Sequence, residues 1–491
     1  MPRPSTRTTT PTSPDLIPPP TSTPRPWLVL LAACAGQFLV VLDVSVVNVA
    51  LPSMRTDLGL SATGLQWVVN AYSIAFAGFM LLGGRAADLF GRKRVFLAGL
   101  ALFTLASLLG GIAQEGWQLL AARAVQGLGA AVLAPATLTI VTAAVAPGPA
   151  RTRAIGTWSA VGAGGGAAGG LVGGVLTDLL NWRWVLLINV PIGILVLAGG
   201  TLWLREGREA GPRRRLDLPG AVLVTAGLAT LAYGIVQTEE AGWGAPATLV
   251  PLLGGLALLA LFVVVEARSG EPLMPLKVFR SRAVSAANVA MLVCGSASFG
   301  MWFFMTVYAQ NVLGYTPLEA GLALVPSSAA VVVGSKLAPR LMPSTGERNL
   351  AVLGALIAAT GFGWQSWMTA DGAYLTAVLG PGVLMMLGMG LAVTPLATLA
   401  TSGAAPGDGG LVSGLINTSR TMGGALGLAV LSTVAASRTG ASTSPESLTA
   451  GYALAFRVGT GVLLVAALLM LLWLPRAAGA RGRRGAEGVA G

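Results

Sequence analysis

Residues 84–94 read GRAADLFGRKR and carry four cations and one carboxylate between two long apolar runs, residues 64–83 and 95–114. Each run is long enough to cross a bilayer, and charges are costly in hydrocarbon, so the segment is predicted to lie at the membrane surface. Its Lys and Arg content predicts the cytoplasmic side. An ordinary basic loop would explain the charge alone, but the spacing G-x-x-x-D-x-x-G-R-K-R is more specific. Its two glycines are expected to permit a tight backbone path, and its Asp to face a helix N-terminus or an arginine.

The composition is that of an integral membrane protein. Of the 491 residues, 54% are hydrophobic and only 10% are charged, whereas soluble domains carry about 25% charged residues. The net charge is +12, but the cations are spread between apolar runs, so no nucleic-acid partner is expected. Cys34 and Cys294 fall inside apolar runs and are expected to be free thiols. Because the chain has no histidine, no metal or cofactor is expected, and any proton coupling would run through carboxylates.

Fourteen apolar segments are predicted to span the membrane as helices. With both termini cytoplasmic, 25 of the 31 Lys and Arg residues fall inside and three outside. One missed span would reverse every loop downstream of it and spoil this ratio, so the tally favours fourteen. The segments are residues 27–51, 64–83, 95–114, 117–142, 154–177, 184–203, 216–237, 247–266, 284–310, 317–337, 350–369, 374–397, 410–434 and 455–475.

These spans define the predicted domain organisation. Residues 1–26, rich in Pro, Ser and Thr, are predicted to form a disordered cytoplasmic tail. Residues 27–203 form an N-terminal six-helix bundle, and residues 283–475 form a C-terminal one. Residues 204–282 are a linker with two additional transmembrane helices, and residues 476–491 are a second cytoplasmic tail.

An internal repeat relates the two bundles. Residues of spans 4 and 5 recur in spans 12 and 13, at offsets of 261 and 258 residues. Such repeats are typical of transporters in which one half rocks against the other about a site near the membrane midplane. The matching residues are Gly127, Gly129, Ala136, Thr137 and Leu138 with Gly388, Gly390, Ala397, Thr398 and Leu399, and Gly156, Gly165, Gly166 and Gly169 with Gly414, Gly423, Gly424 and Gly427.

Asp43 is the most informative single residue, because it lies inside the first span with no other charge within ten positions. An ionisable side chain at membrane depth indicates function. Desolvation disfavours the charged form, so the carboxyl is expected to exchange a proton at cellular pH. The alternative is a packing hydrogen bond, for example to Asn48.

Arg123, in the fourth span, is the natural counterpart of this acid. Gln126 lies on the same face of its helix. An arginine stays charged, so it must face water, a carboxylate or carbonyl groups. The offset of 261 places Leu384 at the equivalent position of the second half, so the fold does not require the charge. Contact between Arg123 and Asp43 is left open by the sequence.

Glycines recur along the fifth span and predict a close helix contact, with a smooth surface along which the two halves can close. The ridge comprises Gly162, Gly166, Gly169, Gly170, Gly173 and Gly174. In the repeat, Arg420 takes the place of Gly162 and either lines the cavity or lies near a helix end. Further candidates for a substrate pocket, each of which could equally be a packing residue, are Gln37, Asn70, Tyr72, Gln126, Trp158, Trp302, Asn417 and Arg420.

Four motifs together resemble the fourteen-helix drug:proton antiporter branch of the major facilitator superfamily. They are LDVSVVNVALP at 42–52, GRAADLFGRKR at 84–94, RAVQGLGAA at 123–131 and WRWVLLINVPIG at 182–193. The resemblance covers roughly residues 27–475. It implies an all-α integral membrane protein with the major facilitator fold, in which two additional central helices join the two six-helix bundles.

The resemblance also assigns roles to individual residues. The arginine of the helix 4 motif, Arg123, is associated in the family with proton coupling, and Asp43 would exchange protons for substrate. The conformational loop motif is Gly84, Asp88, Gly91, Arg92, Lys93 and Arg94. One departure is visible in the fifth span, where the family has Gly-Pro-x-x-Gly-Gly and this chain has Gly170 at the proline position. The helix therefore lacks a kink-forming residue in the motif that marks export.

The leading hypothesis is a monomeric, proton-coupled secondary transporter of the plasma membrane that exports hydrophobic or cationic drugs or antibiotics by alternating access. Its partners would be protons, a small substrate and the lipid bilayer. Proton-coupled uptake and dedicated export of a single metabolite remain alternatives, because they would differ only in pocket residues. An intramembrane enzyme is not expected, since no clustered His, Asp or Ser/Lys constellation exists. A non-transporting membrane scaffold is disfavoured, because it has no reason to keep isolated buried charges.

Overall fold

The computed structural model describes residues 26–145, 149–204, 217–270, 272–403, 409–440 and 442–475. Both predicted tails, apart from Pro26, lie outside these ranges. Within them the regular structure is helical, and each of the fourteen predicted spans coincides with a helix. In the sixth span that helix is interrupted once.

The first half contains six helices. They are α1 (Pro26–Leu58), α2 (Ala62–Phe90), α3 (Arg92–Gly111), α4 (Gly116–Ala144), α5 (Pro149–Leu179) and α6, which consists of Trp184–Leu187 and Asn189–Trp203. The additional pair is α7 (Leu218–Ala241) and α8 (Pro246–Arg268). The second half contains α9 (Arg282–Asn311), α10 (Pro317–Thr345), α11 (Glu347–Gln365), α12 (Gly380–Ser402, after a π-helical turn Leu375–Leu379), α13 (Gly409–Thr439) and α14 (Pro445–Trp473).

Twelve of these helices have the length and mean hydropathy of a membrane span. The other two, α11 and α13, contain 19 and 31 residues and are long enough to cross, but they are more polar. In α13 the polar residues Asn417, Ser419 and Arg420 follow one another closely. The membrane fold is thus supported by twelve helices, and the crossing of α11 and α13 stays a prediction.

The charged segment 84–94 is more helical than predicted. α2 continues to Phe90 and α3 begins at Arg92, so Gly91 alone interrupts the helices. Gly91 has φ +96°, a conformation that favours glycine. Gly84 lies within α2, so the prediction that it helps the chain to turn is wrong.

Two cations of this segment bind backbone carbonyls of distant elements. The Arg85 guanidinium donates to the carbonyl of Pro272 at 2.8 Å, in the linker after α8. The Lys93 ammonium donates to the carbonyl of Thr201 at 2.7 Å, near the end of α6. Arg92 and Arg94 occupy the first turn of α3, and the side chain of Asp88 is outside the described part of the chain. The segment therefore attaches the end of α2 to the linker that follows α8, and it attaches the start of α3 to the end of α6.

The two halves repeat the same helix contacts. α1 packs on α5 as α9 packs on α13, and α4 packs on α2 and α3 as α12 packs on α10 and α11. Gly165 of α5 lies against the carbonyl of Phe38, and Gly423 of α13 lies against the carbonyl of Leu292. The predicted repeat of spans 5 and 13 is confirmed by these matched contacts, which also relate α1 to α9 by an offset of 254 residues.

The repeat of α4 and α12 has a different register from the one predicted. Gly129 of α4 lies against Gly99 of α3, and the corresponding contact in the second half joins Gly388 to Gly354 of α11. This contact corresponds to an offset of 259 residues. The structural counterpart of Arg123 is therefore Gly382. The prediction of Leu384 was wrong because matches between small residues favour a register two residues away from the one that the helix contacts show.

The halves meet along α5 with α10 and along α2 with α13. At Gly174 the backbone of α5 lies against Leu318 of α10, with no room for a side chain. Gly156 is five turns earlier and so on the same face of α5, but a Cβ there would have no neighbour within 4 Å. Among the described residues, α5 and α10 are thus in close contact at the end predicted to be outside, whereas Gly156, at the end predicted to be cytoplasmic, makes no such contact.

Candidate functional site

A buried ion pair joins the first and fourth helices. The Arg123 guanidinium lies 2.6 Å from the Asp43 carboxylate, Nη1 to Oδ2. Asp43 is 0% exposed and Arg123 is 2% exposed. The two residues that the sequence predicted for proton coupling are therefore in direct contact, a point that the sequence had left open. The alternative partner of Asp43, Asn48, instead donates to the carbonyl of Val44 in its own helix.

Gln126 completes a closed ring of hydrogen bonds around this pair. Its side-chain oxygen accepts a hydrogen bond from Arg123 Nη1 at 2.7 Å. Its amide donates to Asp43 Oδ1 at 2.7 Å and to the hydroxyl of Ser107 at the same distance. Gln126 lies one turn after Arg123 on α4, so the helix itself brings both side chains to Asp43.

Asn189 is a further member of the cluster that sequence reasoning missed. Its amide donates to Asp43 Oδ1 at 2.9 Å and lies 3.4 Å from the Ser107 hydroxyl. It begins the second piece of α6, directly after the interruption of that helix at Ile188. Its only signal in the sequence was an amide inside the apolar motif WRWVLLINVPIG.

The guanidinium is also held from α2. Arg123 Nε donates to the carbonyl of Val68 at 3.1 Å, and the guanidinium carbon lies 4.4 Å from the centre of the Tyr72 ring. The cluster therefore draws on α1, α2, α3, α4 and α6.

The cluster satisfies both charges without water. Asp43 Oδ1 accepts from Gln126 and Asn189, and Oδ2 accepts from Arg123. A buried charge of either sign is expensive alone, but these two are paired and hydrogen-bonded. Any proton added to this carboxyl would weaken its bond to Arg123.

The other predicted pocket residues fall into separate groups. Trp158 of α5 donates to the Thr137 hydroxyl at 3.0 Å, and that hydroxyl lies 3.4 Å from the side-chain oxygen of Gln37. Asn70 is fully buried in α2, and its amide has no hydrogen-bond partner among the described residues. Trp302 packs at the edge of the apolar core of the second half.

Asn417 and Arg420 form the last group, on α13. The Arg420 guanidinium donates to the side-chain oxygen of Asn417 at 3.0 Å. The Asn417 nitrogen lies 3.5 Å from the sulfur of Met80 in α2. Arg420 is exposed, unlike Arg123.

The predicted glycine ridge of α5 packs mainly on α1. Gly169 and Gly173 leave no room for a side chain against Ser45 and Val46, respectively. Gly170 and Gly174 instead face α10 of the other half. The ridge thus forms part of the α1–α5 contact within the first half and part of the α5–α10 contact between the halves.

Comparison with known proteins agrees with this architecture. The sequence profile of the Major Facilitator Superfamily matches residues 33–428. A cephamycin export protein of Amycolatopsis lactamdurans is 52% identical over 463 residues, which cover 93% of each chain. A puromycin resistance protein of Streptomyces alboniger is 40% identical over 458 residues, which cover 91% of each chain.

Solved structures share the fold at low identity. A bacterial homologue of the human lysosomal transporter Spinster, in an inward-facing and unoccupied conformation, has a TM-score of 0.65 and 21% identity, covering 92% of this chain and 98% of that one. The POT family transporter PepTSo has a TM-score of 0.67 and 17% identity, covering 92% and 98%. With a profile match over most of its length and relatives that align almost end to end, this chain belongs to the Major Facilitator Superfamily and is a transporter, not an enzyme.

Proposed function

We propose that this protein exports antibiotic-type small molecules across the plasma membrane in exchange for protons. It works as a monomer by alternating access, with both termini in the cytoplasm. Relatives that align over nearly the whole chain are named for the export of cephamycin and for resistance to puromycin and lincomycin, which supports export of compounds of this kind.

The single observation that carries proton coupling is the buried pair of Asp43 and Arg123. In the conformation described here Asp43 is bound by Arg123, and α5 contacts α10 closely at Gly174 but not at Gly156, near its predicted cytoplasmic end. A proton that reaches Asp43 turns the ion pair into a weaker hydrogen bond from the charged guanidinium to a neutral carboxyl group. α1 and α4 are then less firmly held together. α1 also packs against α5, and α5 contacts α10 of the other half. A movement of α1 can therefore alter the contact between the halves.

The loop motif is proposed to stabilise one of the two conformations. Arg85 ties the end of α2 to the linker after α8 through Pro272, while α2 also contacts α13 of the other half. A movement of the halves must therefore strain or release the contacts made by this segment. Gly91 supplies the sharp break between α2 and α3 that fixes the position of its cations.

Dedicated export of a single compound is the second candidate function. It is favoured by the 52% identical relative, whose name specifies cephamycin export. A panel of labelled antibiotics of several classes, tested in the same vesicles, separates the two candidates. Transport of several unrelated compounds would support broad export, and transport of one class alone would support the dedicated function.

Replacement of Asp43 by Asn tests the coupling role. Everted vesicles that contain the full-length protein are given a labelled antibiotic and an imposed proton gradient. Asp43→Asn keeps the shape of the side chain but cannot exchange a proton, so gradient-driven transport should fall by about tenfold or more. Asp178→Asn is the matched control, because Asp178 is an exposed carboxylate at the end of α5, and it should transport normally.

The contrary result is clear-cut. Unimpaired, gradient-dependent transport in Asp43→Asn would remove Asp43 from the coupling mechanism. An equal loss in Asp178→Asn would mean that the assay reports general damage to the protein and not the role of the buried carboxyl.

A further inference from the structure

Arg420 lies in the interior of α13 and not at its end. The helix runs from Gly409 to Thr439, so Arg420 is about 16 Å along the axis from its first residue. This position decides between the two alternatives that the sequence left open. An arginine at such depth is costly unless it faces water or a partner.

The face of α13 that carries Arg420 points between the two halves. On one side of it, the Ser419 hydroxyl donates to Asn288 of α9 at 2.8 Å. On the other side, Asn417 lies against Met80 of α2. The opposite face of α13 packs on α7, as the hydrogen bond from Thr433 to Ile235 shows. Since α9 and α2 belong to different halves, the face between them borders the gap that separates the halves.

Among the side chains that the structure describes, no carboxylate lies within ion-pair distance of Arg420. Its guanidinium bonds to Asn417. Asp43 is the acid buried in the interior of the first bundle, and it is already paired with Arg123. The gap therefore carries a positive charge that no described carboxylate offsets.

A guanidinium in this setting is suited to bind a carboxylate. Its planar fork of donors matches the two oxygens of a carboxylate better than an ammonium does. The bond to Asn417 orients the fork and leaves its other N–H groups free to donate to a ligand.

We infer that Arg420, oriented by Asn417, binds the carboxylate of an anionic substrate in the gap between the halves. The inference rests on the proposed export function and names its substrate class. It departs from the hydrophobic or cationic substrate expected from the sequence, because a cation would meet the charge of Arg420 with no described carboxylate free to offset it. A lipid phosphate could use the same chemistry, so the test is made in vesicles of zwitterionic lipid and repeated with an anionic lipid added.

The test compares a β-lactam free acid with its methyl ester, two probes that differ in one charge. Full-length protein is reconstituted in vesicles of zwitterionic lipid under an imposed proton gradient, and kcat/KM is measured for both. The wild type should prefer the acid by about tenfold or more. Arg420→Gln should lower kcat/KM for the acid by about 10- to 100-fold, mainly through KM, and leave the ester within about twofold. Arg420→Lys should retain part of the preference.

Arg457→Gln is the matched control. Its guanidinium is on α14 and lies 3.5 Å from the carbonyl of Ser366 at the end of α11, so the same charge is removed elsewhere and the preference should persist. Thermal stabilisation of purified protein by the free acid gives a readout independent of transport. It should be present in the wild type and in Arg457→Gln, and lost in Arg420→Gln.

Several results would overturn the inference. They are equal transport of acid and ester by the wild type, an equal loss for both probes in Arg420→Gln, or a preference for the acid that anionic lipid abolishes, which would assign Arg420 to lipid phosphate. In each of these cases gradient-driven transport of the ester would leave the proposed function standing. If the wild type transports neither probe and no other antibiotic of the panel, the proposed function itself fails.

Discussion

The two halves share their helix packing but differ in which positions carry charged side chains. The first half buries an ion pair between Asp43 and Arg123. The corresponding positions in the second half are Ala297 and Gly382, both buried and uncharged. A bundle of this design therefore packs without the pair, which argues that the first half retains it for a task other than folding.

On α5 and α13 it is the second half that has the charged residue and the first half that does not. Gly162 of α5 faces Gln37 within the first half, whereas its counterpart, Arg420, is exposed to the gap between the halves. At the positions of the ion pair the second half is apolar, and in its core Phe362 and Phe456 pack with ring centres 5.3 Å apart. The comparison suggests a division of labour, with proton exchange in the first half and substrate binding at the face of the second.

Removing one member of the ion pair should have the largest effect. Arg123→Met leaves Asp43 buried without its cation, which is expected to cost about 3–5 kcal/mol and to lower the apparent Tm in detergent by roughly 3–5 °C. The double variant Asp43→Leu with Arg123→Met makes the site apolar, as in the second half, and should regain most of the stability. Neither variant should transport against a gradient.

Thermal unfolding of the purified variants and vesicle transport check this prediction together. A double variant as unstable as the single one would mean that the first half needs the pair for its fold. The difference between the halves would then concern folding and not coupling.

Most of the fold was accessible from the sequence, because a bilayer demands long apolar helices and Lys and Arg mark one side of it. The fourteen segments and the offset between spans 5 and 13 were found in this way. The path of residues 84–94 was not, since Gly84 and Gly91 look alike in sequence and only the helix contacts decide which one leaves the helix. The register of α4 against α12 failed for a similar reason.

The candidate site was predictable in its charged members only. Asp43 and Arg123 stand out because ionisable groups are rare in membrane helices. Their contact, and the role of Asn189 and Ser107, depend on how α1, α3, α4 and α6 meet. A single asparagine or serine in an apolar run does not predict a contact between helices, because such residues also form hydrogen bonds within their own helix, as Asn48 does.

Asn189→Val should have an intermediate effect. It removes one of the two hydrogen bonds to Asp43 Oδ1 but leaves the ion pair, so stability should fall by about 1–2 kcal/mol and gradient-driven transport several-fold. Asn48→Val is the matched control, since Asn48 bonds within α1, and it should retain transport. Equal transport by the two variants would show that Asn189 does not position the carboxylate and would leave Asp43, Arg123, Gln126 and Ser107 as the functional cluster.

The smallest effect is expected from restoring the proline of the family motif in the first half. A proline at position 170 removes the backbone donor to the carbonyl of Gly166, a loss that costs about 3 kcal/mol in an ordinary helix interior. Here that carbonyl already accepts a hydrogen bond from the Ser45 hydroxyl at 2.7 Å, and serine side chains can replace such lost bonds in membrane helices. Gly170→Pro should therefore lower the apparent Tm little and preserve transport. Ser45→Ala combined with Gly170→Pro should cost about 1 kcal/mol more than the two changes added separately.

In the second half the counterpart of Ser45 is Phe299, which offers no hydroxyl, so Leu428→Pro should be far more damaging than Leu428→Ala. If the effects of the serine and proline changes were instead additive, the carbonyl of Gly166 would have another hydrogen-bond donor. The α1–α5 and α9–α13 contacts would then differ only in the size of their side chains.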